Sequence, residues 1–215
     1  MVPLPTTTNA RCFLVLREAI GRAGFVALVG ILVACGGAQP VDSGKAFAMP
    51  SSSTTANSYA QQVLARADDA SNSIALIVHH LSGNMLSRWT DFLTSDGEKA
   101  WRDRDAEFEH AYLDKKTMME AWDKGWQCLL DALDQLKAAD LLTVIYIRNE
   151  GQTVLEAVQR QLAHYPHHVG QIIFQAKVLK GPAFQSLSIP KGNSEKFNEE
   201  KFKQTKEVRH FTDKA

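Results

Sequence analysis

Three histidines fall between positions 164 and 168, in the run His164-Tyr165-Pro166-His167-His168-Val169-Gly170-Gln171. Residues four apart on an α-helix project about 40° from one another. His164 and His168 therefore share a helix face and can hold one ion between them, the geometry of helical H-x-x-x-H metal sites. His167 is turned about 100° from His168 and faces elsewhere. A third ligand has to come from another helix, and spacing alone offers either His79 or His80. Imidazole suits zinc, nickel, copper or iron. Three histidines with open positions is the ligand count of a catalytic zinc site rather than a closed structural one. The competing reading of the same spacing is a group of surface or satisfied core histidines.

The elements that must position these residues are helical from Ser58 onward. Residues 59–69 form a short candidate helix. Residues 72–93 form a longer one, with Ile74, Ile77, Val78, Leu81, Met85, Trp89 and Phe92 at three- and four-residue spacings. Turn chemistry at 94–97 ends it. Residues 95–110 are charged and irregular. Residues 117–136 read as a helix whose apolar side carries Met118, Ala121, Trp122, Leu129, Leu133 and Leu136. The run 141–147 (LLTVIYI) is β-rich and is followed by a turn, which predicts a short hairpin or an extended connection within 141–152. Residues 153–179 carry the strongest helical stripe, including Leu155, Val158, Leu162, Tyr165, Val169, Ile172, Ala176 and Leu179, and Gly181-Pro182 stops it. Pro166 lies inside that stripe. A mid-helix proline costs about 3 kcal/mol, so the reading is a kink or two abutting helices. The domain is placed at 58–190. The polar tail, 191–215, is expected to be loosely ordered.

Of the 215 residues, 45% are hydrophobic and 22% charged, which suits one globular domain with appendages. Lys+Arg and Asp+Glu both number 24, so the chain has no net charge with neutral histidines. That balance, with no nucleic-acid-binding motif present, argues against nucleic acid as a partner. Cys12, Cys35 and Cys128 form neither a disulfide framework nor a C-x-x-C pair.

Residues 1–57 differ from the rest. Arg11, Arg17 and Arg22 precede the apolar run 25–34 (FVALVGILVA). Ten residues are too few to span a bilayer, which needs about 20, but suit the core of a secretory signal. Leu32-Val33-Ala34-Cys35, followed by two glycines, resembles a bacterial lipobox in which Cys35 is acylated. Residues 36–57, rich in Gly, Ser, Thr, Ala and Pro, read as a flexible tether. On this reading 1–35 is a lipoprotein signal, and a lipid anchor is the chain's only tie to the membrane. The alternatives are a cytosolic protein that starts at Met49, or an apolar first helix packed on the bundle.

Residues 71–109, from SNSIALIVHHLSGNMLSRW onward, together with RQLAHYPHHVGQIIFQAKVLKG at 160–181 and SLSIP at 186–190, resemble an uncharacterised branch of the DinB-like superfamily. The resemblance covers roughly residues 58–200. It implies an all-α four-helix bundle with a three-histidine metal site. The early ligand matches the second histidine of Val78-His79-His80-Leu81, hence His80, and the late pair matches His164 and His168. Members of this branch accept a proline after the tyrosine. They also carry a fuller first helix than residues 59–69 provide. Superfamily relatives include thiol-dependent isomerases and thiol S-transferases, which use the metal to activate a low-molecular-weight thiol. The resemblance therefore implies a divalent metal, zinc or nickel first, and a small thiol or other small molecule as partner, with homodimerisation open. The second reading is a non-enzymatic metal-binding or stress-response protein, membrane-tethered if Cys35 is lipidated.

Other residues carry paired readings. Asn84, four residues after His80, is a group supporting the site, a pocket wall or a polar helix-face residue. Gln171 is placed to orient a water on the metal. Arg88, Asp91, Arg102, Arg104 and Asp105 either line the mouth of the site and hold an anionic substrate, or form an ion-paired loop over the bundle end. Trp89, Trp101, Trp122 and Trp126 read as core or loop anchors, Cys128 as a small buried residue, and His110 and His210 as surface residues. Glu150 is a candidate base or a helix cap.

Overall fold

The computed structural model describes residues 59–109, 112 and 114–207. The signal-like segment, Cys12, Cys35, the tether, Met49, His110 and His210 lie outside them. The described chain is all-α apart from one hairpin: α1 (Tyr59–Leu64), α2 (Ile74–Trp89), α3 (Ala106–Glu109), α4 (Lys115–Asp134), a 3-10 turn (Ala138–Leu142), β1 (Val144–Ile147), β2 (Glu150–Thr153), α5 (Val154–Lys180), a second 3-10 turn (Gly181–Ala183) and α6 (Ser194–Phe202).

Helix α2 is the centre of the bundle. Thirteen of its 16 residues are buried, so it is packed on nearly every side rather than along one stripe. Ser73 starts it by accepting the Leu76 N–H. It stops at Trp89, earlier than the apolar spacing suggests. Thr90, at the C-cap, is already extended and ends the helix, and Phe92 is buried in the turn that follows, next to the left-handed Asp91 (φ 48°). On one side of α2 lies α4, which buries Met118, Trp122, Gly125, Trp126, Leu129 and Leu133 at helical spacing. Gly125 permits the contact: a Cβ there would press on Met85 Cε at 2.9 Å and on the Ser82 backbone at 3.1 Å. Asp114 caps α4 by accepting the Thr117 N–H at 2.8 Å.

On another side lies α5, capped by reciprocal hydrogen bonds between Thr153 and Glu156. It runs 27 residues through Pro166 as one helix, so the alternative of two abutting helices is set aside. Pro166 is on the exposed face, where water can satisfy the carbonyl left without a donor. Val154, Ala157, Val158, Gln161, Tyr165, Ile172 and Ala176 are buried, whereas Leu155 faces outward. Short as it is, α1 contributes Val63 to the core. The hairpin reading holds, with Val144 opposite Thr153 and Ile147 opposite Glu150, and Ile145 and Ile147 buried beneath it.

Three expectations need correction. Trp101 anchors nothing: it is 61% exposed, on a loop held by ion pairs rather than by its indole. The tail is not irregular throughout, because Ser194–Phe202 forms a helix, though none of its residues is buried. Glu150 caps no helix; it opens β2 and is exposed, and Glu156 does the capping.

Candidate metal centre

Helix α2 presents His80 and helix α5 presents His164 and His168, one turn apart. The structure brings these three together. His80 Nε2 is 3.3 Å from His164 Nε2, and His168 Nε2 is 3.1 Å from the same atom. Of the adjacent pair on α2, His80 is the one that faces α5. His79 turns away and sits against the Tyr112 ring at 4.9 Å. His167 is exposed and accepts from Gln171 Nε2.

The other nitrogen of each ring decides what the converging atoms are. His80 Nδ1 meets Glu107 Oε2 at 2.9 Å, His164 Nδ1 meets Gln161 Oε1 at 3.2 Å, and His168 Nδ1 meets Gln171 Oε1 at 2.7 Å. All three partners are oxygens that only accept, so each Nδ1 carries a proton and donates it. In the neutral ring Nε2 is then a bare lone pair. For His164 and His168 the neutral ring is also what the surroundings favour. Burial, with repulsion from His168, His80, Arg160 and Arg88, lowers the His164 pKa to about 4. Burial likewise pushes His168 down, against the hydrogen bond with Gln171.

The three ligand nitrogens all lie within 4.8 Å of one another, and lone pairs brought that close repel unless a cation lies between them. With metal–nitrogen bonds of about 2.0–2.1 Å, cis nitrogens are separated by about 3.0 Å in an octahedral site and about 3.4 Å in a tetrahedral one. The observed 3.1 and 3.3 Å fall in that range. The donor set therefore fits a divalent transition metal with open positions beyond the three nitrogens. The metal's identity does not follow from these distances.

Glu107, on the short helix α3, anchors the centre from behind. It is 3% exposed, and its carboxylate takes a two-pronged ion pair from Arg102, Nε to Oε1 at 2.7 Å and Nη2 to Oε2 at 2.9 Å. Burial pushes the Glu107 carboxyl up, but the hydrogen bonds from His80 and Arg102 outweigh it and hold its pKa below the ordinary value. Gly83 makes room for this group: a methyl there would overlap the Glu107 carboxylate. A carboxylate behind a histidine fixes the ring's tautomer and orientation.

The charged loop reads as ion-paired. Glu98 Oε2 is shared by Arg88 at 3.1 Å, Arg148 at 3.2 Å and Arg102 at 3.5 Å. Asp96 accepts the backbone N–H groups of Arg148 and Asn149, the two left-handed residues of the hairpin turn. Those bonds, Asn149 first, hold the Asp96 carboxyl below its usual range. The hairpin thus clamps the loop, and the loop holds Arg102 on Glu107 and Glu107 on His80. Arg88 belongs to this clamp and also donates to Gly97 O. Asn84 touches none of the three histidines. It accepts from the Tyr165 hydroxyl, which accepts from Trp89 Nε1, and burial pushes that phenol up. Gln171 orients the His168 ring itself rather than a water. Cys128 is half-buried beside Thr90.

Glu107, Gln161 and Gly83 were not singled out by the sequence. Gln161, three residues before His164, mirrors Gln171, three after His168, and that symmetry was a usable signal. Glu107 has no local mark among 24 acidic residues. Its role appears only once α3 folds against α2.

No curated protein and no solved structure matches the chain. Residues 47–193 match the model of a family described as "Protein of unknown function (DUF1572)". That span covers more than half the chain and includes the three histidines, Glu107 and the clamp, so the chain belongs to the DUF1572 family.

Proposed function

We propose that this chain is a DinB-like protein that binds one divalent transition metal, zinc or nickel, through His80, His164 and His168, and serves as a metal-dependent transferase or isomerase acting on a low-molecular-weight thiol. The observation that carries the metal reading is the convergence of three Nε2 atoms whose partner Nδ1 atoms are all committed to acceptors. A divalent metal at this site lowers the pKa of a thiol held at its open positions. The chain's own residues supply the frame. Gln161, Gln171 and Glu107 hold the three rings in one tautomer, and Arg102 holds Glu107.

One observation favours a second reading, a non-enzymatic metal-binding or stress-response protein. Glu107, the carboxylate that touches the triad, is committed to His80 and Arg102 and is not a free base. A thiol-transfer screen separates the two. Metal-loaded protein that speeds the reaction of a small thiol with an electrophile, in step with metal content, supports the enzyme. Stoichiometric metal with no rate above the metal-free chain supports the second reading.

We also propose a membrane-surface location through acylated Cys35, supported by the arginine-flanked apolar run and Leu32-Val33-Ala34-Cys35. The family match begins at residue 47, so both this reading and a start at Met49 leave the matched domain essentially whole.

A further inference from the structure

The loop between α2 and α3 carries one large ring that the fold does not use. Trp101 is 61% exposed and makes no hydrogen bond or ring contact among the described residues. It borders a cavity of about 520 Å³ between this loop and the hairpin turn. Three guanidiniums line the same cavity: Arg102 and Arg104 from the loop, and Arg148 from the turn. Arg102 is buried and committed to Glu107. The other two are half-exposed, with most of their donors open. Arg104 makes no hydrogen bond among the described residues, and its ion pair with Asp105 is 3.7 Å long and lies in solvent, where such pairs contribute little. Arg148 gives Glu98 a single contact, from Nη2 at 3.2 Å. Two carboxylates complete the lining. Asp103 is committed to the Ala106 N–H at 3.0 Å, and Asp105 stands almost wholly in water.

An open indole beside two guanidiniums from separate segments suits a ligand that joins a planar ring to an oxyanion. Guanidinium forks pair with carboxylates and phosphates alike. A planar carboxylate fills one fork, whereas the three terminal oxygens of a phosphate accept from two walls at once. The volume lies within the range of about 300–1,000 Å³ typical of small-molecule sites, more than a bare oxyanion fills. The two carboxylates in the lining act against a longer polyphosphate chain by like-charge repulsion. We propose that this cavity binds a nucleoside monophosphate, its base stacked on Trp101 and its phosphate held between Arg104 and Arg148. None of these three residues is a ligand of the histidine centre, so the site stands apart from the metal reading.

The test is calorimetric titration of the full chain with adenosine monophosphate, adenosine and inorganic phosphate. The expected result is one-to-one binding of adenosine monophosphate, with adenosine and phosphate each bound about tenfold or more weakly. Trp101→Ala and Arg104→Gln should each lower the mononucleotide affinity about tenfold, and Trp101→Phe, which keeps a ring to stack, should retain it within about threefold. Both side chains are exposed, so the variants should keep the wild-type melting temperature, which separates loss of binding from loss of fold. The proposal is overturned by a wild-type chain that does not bind the mononucleotide, or by phosphate or adenosine alone binding as tightly. It is overturned equally by an affinity that either Trp101→Ala or Arg104→Gln leaves unmoved. Each of these outcomes leaves the metal site standing.

Discussion

Replacing Glu107 with glutamine tests whether the group behind His80 tunes the metal. The amide keeps the shape of the carboxylate and one acceptor oxygen, but loses the charge and one prong of the Arg102 pair. His80 then donates to a weaker acceptor, so its Nε2 is a poorer ligand and its ring is less fixed. Substitutions behind metal-binding histidines cost about 10–100-fold in metal affinity, which is about 1.4–2.8 kcal/mol. Arg102, 2% exposed, keeps Glu98 at 3.5 Å, so its charge is not left wholly unpaired. The fold should therefore survive with a lowered melting temperature, since breaking a buried pair outright costs about 3–5 kcal/mol. Competition against a chromophoric zinc chelator measures the affinity, and circular dichroism confirms folding. Gly83→Ala, which displaces the same carboxylate sterically, should move affinity in the same direction. A folded Glu107→Gln chain with zinc affinity within twofold of wild type would refute the reasoning.

His80→Ala should lower metal affinity strongly, while His79→Ala and His167→Ala leave it nearly unchanged; a titration that ranks His79 above His80 contradicts the assignment. The metal-free protein should lose stability as pH falls from about 6.5 to about 4. His164 has a folded pKa near 4, below its unfolded value, so the unfolded chain binds the proton first and stability is fullest above 6.5. Denaturant midpoints that stay level or rise between pH 7 and pH 5 speak against neutral, converging rings. Cys35→Ser should accumulate as an uncleaved precursor if residues 1–35 are a lipoprotein signal; an unmodified N-terminus at Met49 or Pro50, in soluble protein from the native host, ends that reading.

The long helices were legible because their apolar residues recur at helical spacing and their caps are local: Thr153 with Glu156, and Gly181 after the last turn. The row His164–His168 was legible for the same reason. Helix α2 was harder to bound. It is buried on nearly all sides, so its apolar run continues past its real end at Trp89 into the packed turn that holds Phe92. Pro166 left a kink and two abutting helices equally open, because sequence does not tell that the proline sits on an exposed face, where water takes the freed carbonyl and the helix goes on. Choosing His80 over His79 took the resemblance, since spacing admits either. What lay beyond local sequence was the clamp. Asp96, Glu98, Arg102 and Glu107 matter through partners up to 53 residues away, and their charges look like any solvated loop until the hairpin turn closes on Asp96.

The most direct measurement of the central claim is elemental analysis of the purified chain after reconstitution at neutral pH, alongside the triple variant with alanine at positions 80, 164 and 168. The account predicts about one zinc or nickel per wild-type chain and none retained by the folded triple variant. Sub-stoichiometric metal in the wild type, or equal metal in both, would contradict it.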